Sequence, residues 1–189
     1  MKKIVAFGAS NSSTSINQKL AEWTANQIGD TEVKVLNLND FEAPIFSTDR
    51  ENQDGIPKAI QNFKNEINEA DGLVISLAEH NGNFTTAFKN IYDWMSRMDR
   101  SVWNDIPMFL MSSSPGPGGG AGVLNLAQKG FNYAGGNIVA SFSLPSFYQN
   151  FSPEGISNDD IADSFKEQLD LFQQKIIDNE ENVQEVASA

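Results

Sequence analysis

A doubly wound α/β domain, with one parallel sheet of five strands and helices on both faces, is the fold class this sequence predicts. Three observations predict it. Short apolar runs alternate with helical-period segments along most of the chain. The runs Gly72–Leu77 and Ile106–Met111 are nearly continuous in apolar residues, as in strands covered on both faces. Polar or glycine-rich loops follow the first, third and fourth runs, where sheets of this kind place ligands.

Each element has its own signal. Ile4–Phe7 is apolar and stops at Gly8, giving the first strand, and Ile16, Leu20, Trp23 and Ile28 recur at roughly helical spacing. Glu32–Leu38 alternates through Val33, Val35, Leu36 and Leu38 and reads as a second strand. Pro44–Pro57 reads as a loop, followed by a helix over Lys58–Glu69 on Ile60, Phe63 and Ile67. Gly72–Leu77 is the third strand, Phe84–Met98 a helix, and Ile106–Met111 the fourth strand. Val123–Tyr133 then gives a helix, Asn137–Phe142 the fifth strand and Ile161–Ile177 the last helix. The 189 residues suit one domain over 1–178; from Asn179 the apolar period stops, so 179–189 is expected to be a disordered tail.

Composition narrows the functional classes. With 40% hydrophobic and 20% charged residues, the chain has the balance of an ordinary folded protein. The 13 Lys and Arg against 25 Asp and Glu give a net charge of −12, which repels nucleic acid and anionic lipid surfaces. No cysteine is present, so disulfides and thiolate metal sites are excluded, and no metal is expected. The apolar run after Met1-Lys2-Lys3 is too short for a signal peptide, and no run approaches the roughly eighteen residues that span a bilayer. A cytoplasmic location without membrane contact is therefore expected.

Ser10-Asn11-Ser12-Ser13-Thr14-Ser15-Ile16-Asn17 sets hydroxyl and amide donors just before a helix, whose first amides lack partners. Such a loop reads as an anion seat on the positive end of the helix dipole, or simply as a Ser-rich loop with an N-cap at Thr14 or Ser15. Neither GxxxxGK[ST] nor GxGxxG is present, which disfavours a nucleoside triphosphatase and a Rossmann dinucleotide domain.

Ala78-Glu79-His80-Asn81 and Phe88-Lys89-Asn90-Ile91-Tyr92-Asp93-Trp94-Met95-Ser96-Arg97 carry the most specific signal. They resemble the NADPH-dependent FMN reductase family, the flavodoxin-fold flavin, quinone and chromate reductases, in its Pro-Glu-Tyr-Asn and Leu-Lys-Asn-x-Ile-Asp-Trp-x-Ser-Arg segments. Ser10, Ser15 and Asn17 match the family's Gly-Ser-x-Arg-x-x-Ser-x-Asn loop, and Ser114-Pro115-Gly116-Pro117-Gly118-Gly119-Gly120 is similar to its glycine-rich segment. Ala9 stands where the family has glycine, Ser12 where it has an arginine, and His80 where it has tyrosine. The likeness runs to about residue 145.

That resemblance implies a flavodoxin-like sheet of order 2-1-3-4-5 and an oxidoreductase using FMN. NADPH or NADH is the implied electron donor, and a quinone, flavin, azo compound or metal oxyanion the small-molecule acceptor. It places Ser10, Ser12, Ser15, Ile16 and Asn17 around the FMN phosphate, and Glu79, His80, Asn81, Gly82 and Asn83 along the flavin ring. Gly116, Gly118 and Gly119 then bring backbone N–H groups to the other ring edge, with Ser114 also among the cofactor-binding residues. No catalytic side chain is implied, since the flavin itself takes and gives hydride. A homodimer or homotetramer is implied too, with Trp94 and Arg97 at the interface, while Phe88, Ile91 and Met95 read as core. Phe147 and Tyr148 read either as a substrate wall or as a dock for the last helix. Two other functions fit the residues: a flavodoxin-type one-electron carrier, or a flavin-free binding protein that kept the fold.

Overall fold

The computed structural model describes the backbone of residues 1–187 and the side chains of residues 1–178, so the tail expected over 179–189 lies outside the described side chains. In chain order the elements begin with β1 (Lys2–Ala9), α1 (Ile16–Ala25), β2 (Thr31–Val35) and a 3-10 turn at Leu38–Phe41. α2 (Thr48–Asp54), α3 (Lys58–Asn68), β3 (Gly72–Leu77), β4 (Glu79–His80), β5 (Asn83–Phe84) and α4 (Thr86–Met98) follow. The second half holds β6 (Pro107–Ser113), α5 (Ala121–Asn132), β7 (Asn137–Leu144), α6 (Phe147–Asn150), β8 (Phe151–Ser152), β9 (Gly155–Ile156) and α7 (Asp159–Ala187).

Five strands form one sheet in the order β2-β1-β3-β6-β7, every neighbour parallel. Counting only these strands, the order is the expected 2-1-3-4-5. The two-residue periodicity of β1 divides its side chains between two cores. Val5, Phe7 and Ala9 pack under α3, α4 and α5, while Ile4 and Ala6 pack under α1 and α7. Phe88, Ile91 and Met95 of α4 are buried as expected. Among the described residues no helix is long and apolar enough to cross a membrane.

Several stretches differ from the sequence expectation: β2 ends at Val35 and Leu38 opens the 3-10 turn, and α6, β8 and β9 fill 147–156, where no element was expected. The segment 44–57, expected as a loop, contains α2, whose N-cap Ser47 accepts a hydrogen bond from the Arg50 N–H; α2 buries no residue, so it has no apolar period to reveal it. His80-Asn81-Gly82-Asn83 folds into the β4–β5 hairpin, with Asn81 and Gly82 at φ of 54° and 73°. Asn-Gly is the turn pair that suits such positive φ values, and that dipeptide was the signal available in the sequence.

The contact that positions the site is between α1 and β1. A Cβ on Gly8 would lie 2.3 Å from the Gln18 backbone nitrogen and 2.7 Å from the Asn17 carbonyl carbon. Only glycine lets the start of α1 sit directly on the end of β1.

Candidate functional site

The loops after β1, β3 and β6 converge at the carboxyl end of the sheet, beside the point where strand order reverses at β1. They enclose a cavity of about 240 Å³. It is lined by Ser10, Ser12, Ser15, Ile16, Asn17, Glu79, His80 and Ser114 of the residues predicted from sequence. Asn81, Gly82, Asn83, Gly116, Gly118 and Gly119 are not in that lining; they lie on the two flanking loops. Thr14, Ala78, Ser113, Pro115 and Tyr148 complete it.

The 10–15 loop has a polarity of its own. Ser10 Oγ accepts from the Ser12 N–H at 3.2 Å, Ser12 Oγ from the Thr14 N–H at 3.3 Å, and Ser15 Oγ, the N-cap of α1, from the Gln18 N–H at 3.1 Å. Each hydroxyl therefore has an N–H on its oxygen; Ser10 and Ser15 keep their O–H as a donor, while the Ser12 hydroxyl shares a hydrogen bond with the Thr14 hydroxyl at 3.3 Å, leaving one O–H of that pair to donate outward. The Ile16 and Asn17 N–H groups at the start of α1 have no protein acceptor among the described residues, and no acidic residue stands in that first turn. The lining holds no Lys or Arg. What remains is a cradle of uncharged donors, suited to a ligand that only accepts: an anion such as a phosphate ester.

Buried hydrogen bonds fix the cradle. Asn17 is 2% exposed. Its Oδ1 accepts from the Ser113 N–H at 2.9 Å and the Ser76 hydroxyl at 2.7 Å, and its Nδ2 donates to the Ser113 carbonyl at 3.1 Å. The side chain thus stitches α1 to β3 and β6, and the backbone N–H is what it offers the cavity. Thr85, unremarked in the sequence, donates its hydroxyl to the Ala9 carbonyl at 2.9 Å and caps α4 through the Phe88 N–H. A threonine just before a helical run was the signal for it.

Glu79 lines the cavity and also caps α5, its Oε2 accepting from the Val123 N–H at 2.9 Å. A Cβ on Gly122 would stand 2.9 Å from that carboxylate oxygen, so the glycine admits it. α5 has its positive end occupied by Glu79, while α1 leaves its own open. In the glycine-rich loop, the Gly119 carbonyl accepts from the Ser112 and Ser143 hydroxyls at 2.8 and 3.0 Å, and its N–H donates to Gly116. The N–H groups of Gly116 and Gly118 have no protein acceptor among the described residues. Phe147 and Tyr148, for which two roles were left open, have different surroundings. Phe147 is buried and stacked on Phe151, whereas Tyr148 is 71% exposed and lines the cavity.

His80 also borders a second, larger cavity of about 560 Å³. Its walls are the 3-10 turn, the 42–45 loop and the first turns of α4, with Leu38, Phe41, Pro44, Ile45 and Ile91 supplying apolar surface. The expected role of Trp94 at a subunit interface is corrected here. Trp94 is 1% exposed, donates its indole N–H to the Pro44 carbonyl at 2.8 Å, and meets Phe46 edge-on at 5.0 Å. An indole N–H buried against α4 needs an acceptor, and this loop provides it. Arg97 binds both carboxylate oxygens of Glu51 at 2.9 and 3.0 Å and lies 6.0 Å over the Phe46 ring.

The family model described as NADPH-dependent FMN reductase matches residues 2–149. A probable NADPH:quinone oxidoreductase 1 of Oryza sativa subsp. japonica is 35% identical over 88 residues, 46% of this chain and 44% of that protein. The quinone reductase of Escherichia coli K12 is 32% identical over 78 residues, 41% of this chain and 42% of that protein. The matches thus span less than half the length of these curated relatives. Among solved structures, the flavoenzyme NAD(P)H:(acceptor) oxidoreductase FerB of Paracoccus denitrificans superposes with a TM-score of 0.74 at 20% identity. It covers 94% of this chain and 98% of its own, a likeness of fold.

Proposed function

The chain belongs to the NADPH-dependent FMN reductase family, and from that premise we propose that residues 1–178 form one domain that binds FMN and oxidises NADH or NADPH. The observation that carries this reading is the cradle of uncharged donors on the open end of α1. A phosphate monoester accepts on every oxygen and suits a seat whose free hydroxyls and amides donate. Bound FMN would supply the hydride chemistry. The protein's part is to hold the phosphate at Ser10, Ser12, Ser15, Ile16 and Asn17, and to bring the Gly116 and Gly118 N–H groups to the ring. Glu79 keeps the β3 loop in place, while His80 and the hairpin residues Asn81, Gly82 and Asn83 border the ring. No side-chain acid or base is assigned a catalytic role.

A quinone is the acceptor favoured here, because the rice and Escherichia coli relatives carry that activity in their names and Leu38, Phe41, Pro44, Ile45 and Ile91 give the second cavity an apolar side. Flavins, azo compounds and metal oxyanions are the other acceptors of the class. Location in the cytoplasm and assembly as a homodimer or homotetramer belong to the same reading. The test is direct. Purified protein should be yellow or turn yellow with micromolar FMN, and should then oxidise NADH or NADPH with menadione. Protein that takes up no FMN overturns the reading.

The net charge of −12 favours a second reading, a one-electron carrier that docks on basic partners. A reductive titration that halts at a stable one-electron stage, with no oxidation of pyridine nucleotide, would establish that function instead.

A further inference from the structure

Helix α4 presents Asn90, Trp94 and Arg97 to a single loop. The Asn90 carboxamide is fully engaged there: Nδ2 donates to the carbonyls of Ala43 at 3.0 Å and Pro44 at 3.2 Å, while Oδ1 accepts from the Phe46 N–H at 2.9 Å. Trp94 adds a second bond to the Pro44 carbonyl, and Arg97 reaches past Phe46 to Glu51. Ala43, Pro44 and Ile45 form one wall of the larger cavity, and Ala87, Asn90 and Ile91 of α4 form the facing wall. The distance between the walls is therefore fixed by Asn90, which bonds the backbone of one from the helix of the other.

We propose that Asn90 is a positioning residue for the electron acceptor: it sets the width of the cavity beside His80, and with it the size of neutral planar molecule that binds there. The proposal rests on reading that cavity as the acceptor's place next to FMN. In the overall reaction a quinone gains two electrons and two protons as NAD(P)H and one solvent proton are consumed, giving hydroquinone and NAD(P)⁺. Asn90 exchanges neither protons nor electrons. It acts only on the shape of the cavity that admits the acceptor.

The experiment uses the FMN-loaded full chain and menadione. Asn90→Ala should raise KM for menadione about fivefold or more, with kcat, KM for NADH and the Kd of FMN within about twofold of the parent. Equilibrium dialysis should show menadione binding weakened by the same factor. Ala87→Leu, which narrows the slot from α4 without touching the loop, should weaken menadione binding likewise while FMN uptake is kept. Menadione binding at the parent level in both variants would overturn the proposal. So would an Asn90→Ala protein in which FMN and menadione weaken together, the mark of a purely structural residue. A parent protein that takes up no FMN overturns both this proposal and the functional reading, whereas normal FMN uptake with unaltered menadione binding overturns this proposal alone.

Discussion

At the amino end of the sheet, charges are dense and paired; at the carboxyl end, the cradle has none of positive sign. Lys3 Nζ binds Glu69 at 2.7 Å and Glu66 at 3.2 Å, Lys34 binds Glu66 as well, and Lys2 lies 3.6 Å from Asp71. The hydrogen bond from Lys34, helped by Lys3, holds the Glu66 carboxyl below the usual range, and the Glu69 carboxylate raises the Lys3 ammonium. Cations at that end fasten β1 and β2 to α3. The opposite end presents hydroxyls and backbone amides, which are held by packing and neutral hydrogen bonds rather than by charge, to the anion proposed to bind there. The difference separates two uses of polarity: full charges where strands are tied to a helix, neutral dipoles where a ligand must enter and leave.

The strongest way to break this arrangement is Gly8→Ala. The new Cβ meets backbone, which has no rotamer to yield, so α1 must shift. The expected loss is about 3 kcal/mol of stability in urea melts, with loss of FMN uptake. Asn17→Ala comes next, at about 2 kcal/mol, because it strands the buried Ser113 N–H and Ser76 hydroxyl. Ser12→Arg sharpens the comparison by bringing a cation to the neutral end. FMN affinity measured by fluorescence titration should rise about tenfold, the worth of one charge-assisted hydrogen bond. Unchanged affinity would move the phosphate elsewhere.

Glu66→Gln at the charged end should have the smallest effect. A carboxyl whose folded pKa is depressed contributes stability above its unfolded pKa and loses it as pH falls through the folded value. At pH 7 the variant should be about 0.5 kcal/mol less stable, and the two proteins should converge under acid below the depressed pKa. A gap that persists there would assign the effect to packing.

Much of the neutral end was legible in the sequence because its bonds are local. Ser10, Ser12 and Ser15 receive N–H groups two or three residues away, so a Ser-rich stretch before an amphipathic helix already describes them. The sheet order followed from a family likeness, whereas the division of β1 between two cores did not, since Ile4-Val5-Ala6-Phe7 is apolar throughout. What else escaped is long-range. Asn90 and Trp94 reach 44 to 50 residues back along the chain, and no spacing within α4 reveals a partner at that separation. Trp94 was thus expected at a subunit boundary although its N–H finds an acceptor inside. Glu79 reaches 44 residues to cap α5, a pairing visible only once β3 and α5 lie side by side.

The absence of lysine and arginine from the lining of the cradle has a kinetic consequence. A dianion approaching a protein of net charge −12 meets long-range repulsion, against which the mouth sets only neutral donors and the short-ranged dipole of α1. Raising ionic strength shortens the reach of that repulsion to about 8 Å at physiological salt. Capture of the cofactor should therefore accelerate as salt is added, the reverse of the trend in enzymes that draw phosphate in with a cationic arm.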